Sequence, residues 1–187
     1  MRRGAATILM IGLVVAGAEA GADVLDASPT GFTLENSRDV DVDATTIWSA
    51  LIDEVDRWWP KDHTWWGVES RLTIDPRAGG CFCEAAGERY ARHMAIVFVE
   101  PPRLLRMVGG LGPLQGMGVD GVMEWRITSV EGGTRITLHY RAGGYTPDNL
   151  GEFAPVVDQV QAVQLGGLAD FVAGKQSVPR DFEPAPN

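Results

Sequence analysis

The residues best equipped for chemistry are Cys81, Cys83, Glu84 and His93, with His63 earlier in the chain. Cys81 and Cys83 are two apart, so on a strand their side chains share a face. If the turn near Gly87 holds an odd number of residues, His93 on the next strand joins that face. Two thiolates and an imidazole would then suit a soft or borderline cation such as Zn(II) or Cu(I). The competing reading, two small buried apolar residues, is the commoner fate of Cys, so no cofactor is expected. A Cys81–Cys83 disulfide ranks below free thiols. A flat strand holds the Cβ atoms of residues i and i+2 beyond the ~3.5–4.5 Å that a disulfide spans, and only a bulge at Phe82 would close the gap. A second chemistry is proton transfer by Tyr140, His93 and Glu84.

The aromatic residues suggest binding instead. Trp58, Trp59, Trp65 and Trp66 crowd one stretch, and Trp125 sits in an alternating segment. Each ring offers ~150–250 Å² of apolar surface. Two of the tryptophans are expected in the core, with Trp65 and Trp125 facing a pocket. The Gly109–Gly118 stretch is glycine-rich, but it lacks the Lys-Ser/Thr and following helix of a phosphate loop. Leu111, Leu114 and Met117 make it either a flap over a cavity mouth or a plain hairpin connection. No serine sits in a nucleophile elbow and there is no H-E-x-x-H, which leaves a hydrolase without support.

These groups need elements to position them. Gly31 to Val42 alternates in part and reads as a strand. Asp43 is a good N-cap for a helix over 44–52, which must stop before Trp58-Trp59-Pro60. Short alternating runs then cover 72–74, 81–85, 90–99, 104–108, 119–130 and 134–141, punctuated by Gly and Pro. In the last run Ile136, Leu138 and Tyr140 oppose His139 and Arg141, so one face is packed and the other is wet. From about Ala154 to Ala173 the period becomes helical, ~30 Å at 1.5 Å per residue. The interior Gly166-Gly167 pair costs ~1 kcal/mol per residue relative to Ala, acceptable where the backbone lies close to something. The order predicts an α+β helix-grip fold, a curved antiparallel sheet wrapped around a long C-terminal helix. Such a sheet and a straight helix cannot touch along their whole length, so a cavity opens between them.

Composition bounds the rest. The chain has 187 residues, 45% apolar and 22% charged, with a net charge of -9. That is globular, and the acid excess argues against nucleic acid as a partner. Arg2-Arg3, the uncharged run Ala5–Gly17 and Ala18-Glu19-Ala20 form the three parts of a secretory signal peptide. The apolar run is too short for a membrane span of ~20 residues. The organisation is therefore a signal peptide over 1–20, a leader over 21–30, a domain over 31–175 and a disordered tail over 176–187. No integral membrane span is expected after cleavage, and the protein is expected to be periplasmic or secreted.

Several blocks resemble the START/polyketide-cyclase (SRPBCC) superfamily, in its branch similar to heat-shock chaperone ATPase activators. They are Val42–Leu51, Arg57-Trp58-Trp59 with His63-Thr64, Asp75–Glu84, Glu124–Ile127 and Gly133–Leu138. The stretches Gly109–Gly116 and Gly143-Gly144-Tyr145 look like those of exported bacterial members. The resemblance covers about Phe32 to Val172 and implies a helix-grip, ligand-binding domain. Cyclase-type members use acid, base or Lys groups in the cavity, and this chain has only Lys61 and Lys175, which rules against a Schiff base. The expected function is binding of a hydrophobic or amphipathic small molecule, with Trp65, Met94, Phe98, Trp125, Ile136, Tyr140 and Val160 as ligand contacts. A cyclase- or lyase-type enzyme in the same cavity, or a Cys/His metal-binding variant, is the alternative.

Overall fold

A computed structural model describes residues 22–175; the segments expected as a signal peptide, 1–20, and as a tail, 176–187, lie outside the described residues. The first described element is already a strand. β1 (Ala22–Ser28) pairs antiparallel with β2 (Gly31–Val40) and forms one edge of the sheet. The stretch expected as a leader is thus part of the fold: β2 offers a free edge, and the short turn after Ser28 returns the chain along it. Asp43 caps α1 (Ala44–Asp53) as expected, its carboxylate accepting from the Thr45 and Thr46 N–H groups at 3.0 Å each. α2 (Val55–Trp58) follows and ends before Pro60.

Two 3-10 turns, Lys61–His63 and Gly67–Glu69, lead into a meander of β3 (Arg71–Ile74), β4 (Cys81–Ala86), β5 (Arg89–Glu100) and β6 (Leu104–Val108). A single-turn α3 (Pro113–Gly116) interrupts the glycine-rich stretch before β7 (Asp120–Val130) and β8 (Gly133–Gly143). The result is one antiparallel eight-stranded sheet in the order β1-β2-β8-β7-β6-β5-β4-β3. α4 (Leu150–Val172) closes the chain. It begins a turn earlier than the apolar pattern shows, because Asn149 acts as its N-cap by accepting from the Gly151 N–H at 3.1 Å. This is the helix-grip arrangement. No helix among the described residues is long and apolar enough to cross a membrane.

What α4 touches decides where space remains. Its strongest contacts are to β2 and β1, with lesser ones to α1, α2 and β8. A buried hydrogen bond pins it there, Asn36 Nδ2 on β2 donating to Asp158 Oδ1 on α4 at 2.8 Å. At its other end α4 meets α2 closely. A Cβ on Gly167 would stand 2.5 Å from the Trp58 carbonyl oxygen, whereas one on Gly166 would meet nothing within 4 Å. Trp58 itself is core, with its indole N–H donating to the Ala50 carbonyl at 2.8 Å and its ring edge-on to Trp125 at 5.7 Å. The helix is held at the β1–β2 side and at α2, and the sheet curves away from it elsewhere.

The two neighbouring glycines therefore differ in their tolerance of a methyl group. Gly167→Ala forces the helix off the Trp58 carbonyl and should destabilise by ~1–3 kcal/mol. Gly166→Ala should stabilise by up to ~1 kcal/mol through helix propensity alone. Urea unfolding of the two variants checks both signs.

Candidate functional site

Where the sheet curves away from α4, a cavity of about 410 Å³ opens, within the ~300–1,000 Å³ usual for small-molecule sites. Four segments wall it. Phe153, Val157, Val160, Gln161 and Gln164 come from α4; Leu111 to Met117 from the glycine-rich stretch and α3; Asp62 to Trp65 from the first 3-10 turn; and His93 from β5, with Trp59 beneath. The glycine-rich stretch is thus a wall of the cavity, and Leu111, Leu114 and Met117 are its apolar contacts.

Tyr140 fixes that wall without entering the cavity. Its ring fills space left by Gly121, where a Cβ would come within 2.7 Å of it. Its hydroxyl donates to the Gly109 carbonyl at 3.1 Å and accepts from the Leu111 N–H at 3.3 Å. Burial pushes the phenol up to about 12, against the opposing pull of the Leu111 N–H. It is a fastening for residues 109–111, not a proton-transfer group or a ligand handle.

Glu84 and His93 do come together. His93 Nε2 lies 2.7 Å from Glu84 Oε2, with both residues buried. Glu84 Oε1 accepts from Ser70 Oγ at 2.5 Å and from the Trp65 and Trp66 N–H groups at 2.9 and 3.3 Å. Together these bonds tie the Trp65 loop to the sheet. The carboxylate aims the imidazole, whose ring packs on Phe82 at 5.1 Å and lines the cavity.

The Cys/His metal site is corrected by two features. Ala86 opposes Arg89, so the β4–β5 turn has two residues, Gly87 and Glu88, not an odd number. Cys81 and Cys83 alternate with the buried Phe82 and Glu84, which are the residues His93 contacts. Moreover, Cys81 and Cys83 form a disulfide. Pairing is irregular between Phe82 and Cys83. The two Cα atoms are 5.4 Å apart, against ~6.6 Å for two residues of flat strand. The extra residue at this irregularity is His93 on β5, opposite Phe82, and not Phe82 itself; with both sulfurs bonded to each other, no thiolate is left to bind a cation.

The ligand contacts expected from alternation are partly misplaced. Trp65, 47% exposed, and Val160 line the cavity. Met94, Trp125, Ile136 and Tyr140 are fully buried core outside its lining. Phe98 lies on the outer face, 41% exposed, beneath the Arg106 guanidinium. The cause is a pair of bulges in β5. Register passes from Cys83↔Arg92 to Phe82↔Met94, leaving His93 as an extra residue, so His93 and Met94 both point inward. It passes from Ile96↔Met107 to Phe98↔Arg106, leaving Val97 extra, so Val97 and Phe98 both point outward. Strict alternation would have kept Phe98 with Met94.

Gln161 and Gln164 were missed. Gln161 is fully buried and Gln164 nearly so. They share a stripe with Val157 and Leu168 at helical spacing, and that interruption of an apolar face is the signal in the sequence. Neither amide atom of Gln161 has a hydrogen-bond partner among the described residues, nor do Gln164 Oε1 and His63 Nδ1.

Residues 41–162 match the family described as activator of Hsp90 ATPase homolog 1-like protein. Among solved structures, the chain is similar to CalU16 from Micromonospora echinospora (20% identity, 85% of this chain and 87% of that one, TM-score 0.58). It is also similar to a protein from Arthrobacter aurescens (14% identity, 90% and 99%, TM-score 0.57) and to Ara h 8.0201 (15% identity, 78% and 99%, TM-score 0.56). Comparison with curated proteins gives no match.

Two outcomes follow from the geometry. Under denaturing, non-reducing conditions the chain should show no free thiol, and two after reduction; titration with a thiol reagent reads this directly. Tyr140 should ionise near pH 12. Its folded-state value lies above the ~10 of an unfolded chain, so above pH ~10 the unfolded state holds fewer protons and stability falls until about pH 12. Absorbance at alkaline pH should show a late step that Tyr140→Phe removes, with a stability loss of ~1–2 kcal/mol at neutral pH.

Proposed function

The chain belongs to the activator of Hsp90 ATPase homolog 1-like family, within the SRPBCC superfamily, and from that premise we propose that it is an exported protein that holds a hydrophobic or amphipathic small molecule beneath α4. The observation that carries this reading is the cavity of about 410 Å³, walled mainly by Trp, Phe, Val, Leu and Met side chains. Such a volume, left unfilled by the protein's own residues, costs packing energy that a guest would restore. Export is supported by the signal-peptide pattern over 1–20 and by the Cys81–Cys83 disulfide, a bond suited to oxidising compartments. In such a compartment a nucleotide-driven chaperone is not the expected partner, so the activity in the family's description is not carried over.

A second reading has its own observation. The Glu84–His93 pair presents an oriented imidazole at an apolar cavity wall, which is the arrangement a general base needs. A cyclase- or lyase-type reaction on a hydrophobic substrate would use it. Tyr140 has no part in it.

Nile red is a suitable neutral apolar probe for the first reading. It should bind one per chain and quench tryptophan emission, since Trp59 and Trp65 wall the cavity. Val160→Trp, which fills the space from α4, should weaken binding at least ~tenfold while the unfolding midpoint stays within a few degrees. Unchanged affinity in that variant would overturn the assignment of the site. His93→Ala should leave probe binding intact; under the second reading it instead removes a pH-dependent turnover of bound substrate.

A further inference from the structure

The cavity is walled mainly by apolar side chains, and one group of polar atoms in that wall is not explained by the fold. Gln161 is fully buried, yet its amide nitrogen and oxygen are both without partners among the described residues. One turn further along α4, Gln164 Oε1 is in the same state, and so is His63 Nδ1 on the facing 3-10 turn. All three residues line the cavity. A buried polar group left unpaired costs ~1–3 kcal/mol, and Leu at position 161 would avoid that cost. Helix packing does not need the amide, because α4 is pinned to the sheet through Asp158.

We propose that Gln161, with Gln164 and His63, reads the head of the guest, and that this head is uncharged and carries a hydrogen-bond donor beside an acceptor, as a primary carboxamide does. The proposal rests on the binding reading above and adds the chemical class. The donor and acceptor of Gln161 are complementary to a second amide, with Gln164 Oε1 as a further acceptor. An anionic head fits badly. Among the described residues the lining contains no Lys or Arg and includes the carboxylate of Asp62. Lys61, the nearest cation in sequence, is held by Asp56 at 2.6 Å and donates to the Ser70 carbonyl at 2.9 Å. His63 does not supply the missing charge, because burial lowers the proton affinity of its imidazole. A cationic head would find only the exposed carboxylate of Asp62 in the lining, whereas the unpartnered amide of Gln161 is fully buried; the buried carboxylate of Glu84 is already engaged by Ser70, His93 and two backbone N–H groups.

The test is displacement of Nile red from the full exported chain by three naphthalenes of one size: 2-naphthamide, 2-naphthoate and 2-ethylnaphthalene. The amide should bind about tenfold more tightly than either of the others, and Gln161→Leu should abolish that preference while keeping the hydrocarbon. In the ligand-free protein the same variant should raise the unfolding midpoint by ~2–4 °C, as expected for removal of unpaired buried groups from a chain of this size. If the hydrocarbon binds as well as the amide, head recognition is overturned and the binding site stands. If the naphthoate binds best, the uncharged head is overturned. If the dye binds and none of the three displaces it, head recognition is overturned and the binding site stands; if the dye itself does not bind, both readings fall. A lowered midpoint in Gln161→Leu with the amide preference retained also overturns the role given to Gln161.

Discussion

A straight helix can follow a curved sheet along only part of its length, and in this protein the place where contact is kept determines everything else. Asn36 and Asp158 hold α4 on β2. Gly167 lets it settle against the Trp58 carbonyl. Both contacts lie away from β5, whose His93 lines the gap that is left. Two further segments then close the gap from the side: the 3-10 turn carrying His63, and the glycine-rich stretch fastened by Tyr140. Neither could do so on its own. The first is tied to Glu84 through the N–H groups of Trp65 and Trp66, and the second to β8 through one phenol. The cavity is thus defined by buried polar ties, while its lining is mainly apolar.

The fold was legible because its signals are local and agree with one another. Asp43 before an apolar helix face, alternation in β7 and β8, and a change of period near residue 150 each point to one element. The Gly166-Gly167 pair suggested a close approach within α4, and the approach occurs at Gly167 alone; nothing in the structure explains Gly166. The cavity was expected on the same geometric ground.

The lining was less legible, and β5 shows why. Side-chain direction along a strand is read by counting in twos, and each extra residue inverts the count. β5 contains two such residues, His93 and Val97. The first brings His93 inward beside Met94; the second sends Phe98 out beneath Arg106. No residue type marks either site. The same irregularity next to Phe82 accompanies the bond between Cys81 and Cys83, whose spacing in a regular strand argues for free thiols. Departures from the pleat in β5 and beside Phe82 thus bear on both the ligand face and the state of the cysteines.

Functional sites tend to break a local rule that the rest of the fold obeys. α4 offers two such breaks, and they have different meanings. Asp158 is a buried carboxylate on a helix that packs against a sheet, and it is answered by Asn36, so its polarity serves the architecture. Gln161 lies three residues on and is equally buried, and no described residue answers it. The fold therefore uses one polar group to fix the helix and carries the other at a cost in stability. A side chain that weakens the empty protein and faces its cavity is best accounted for by what the cavity receives.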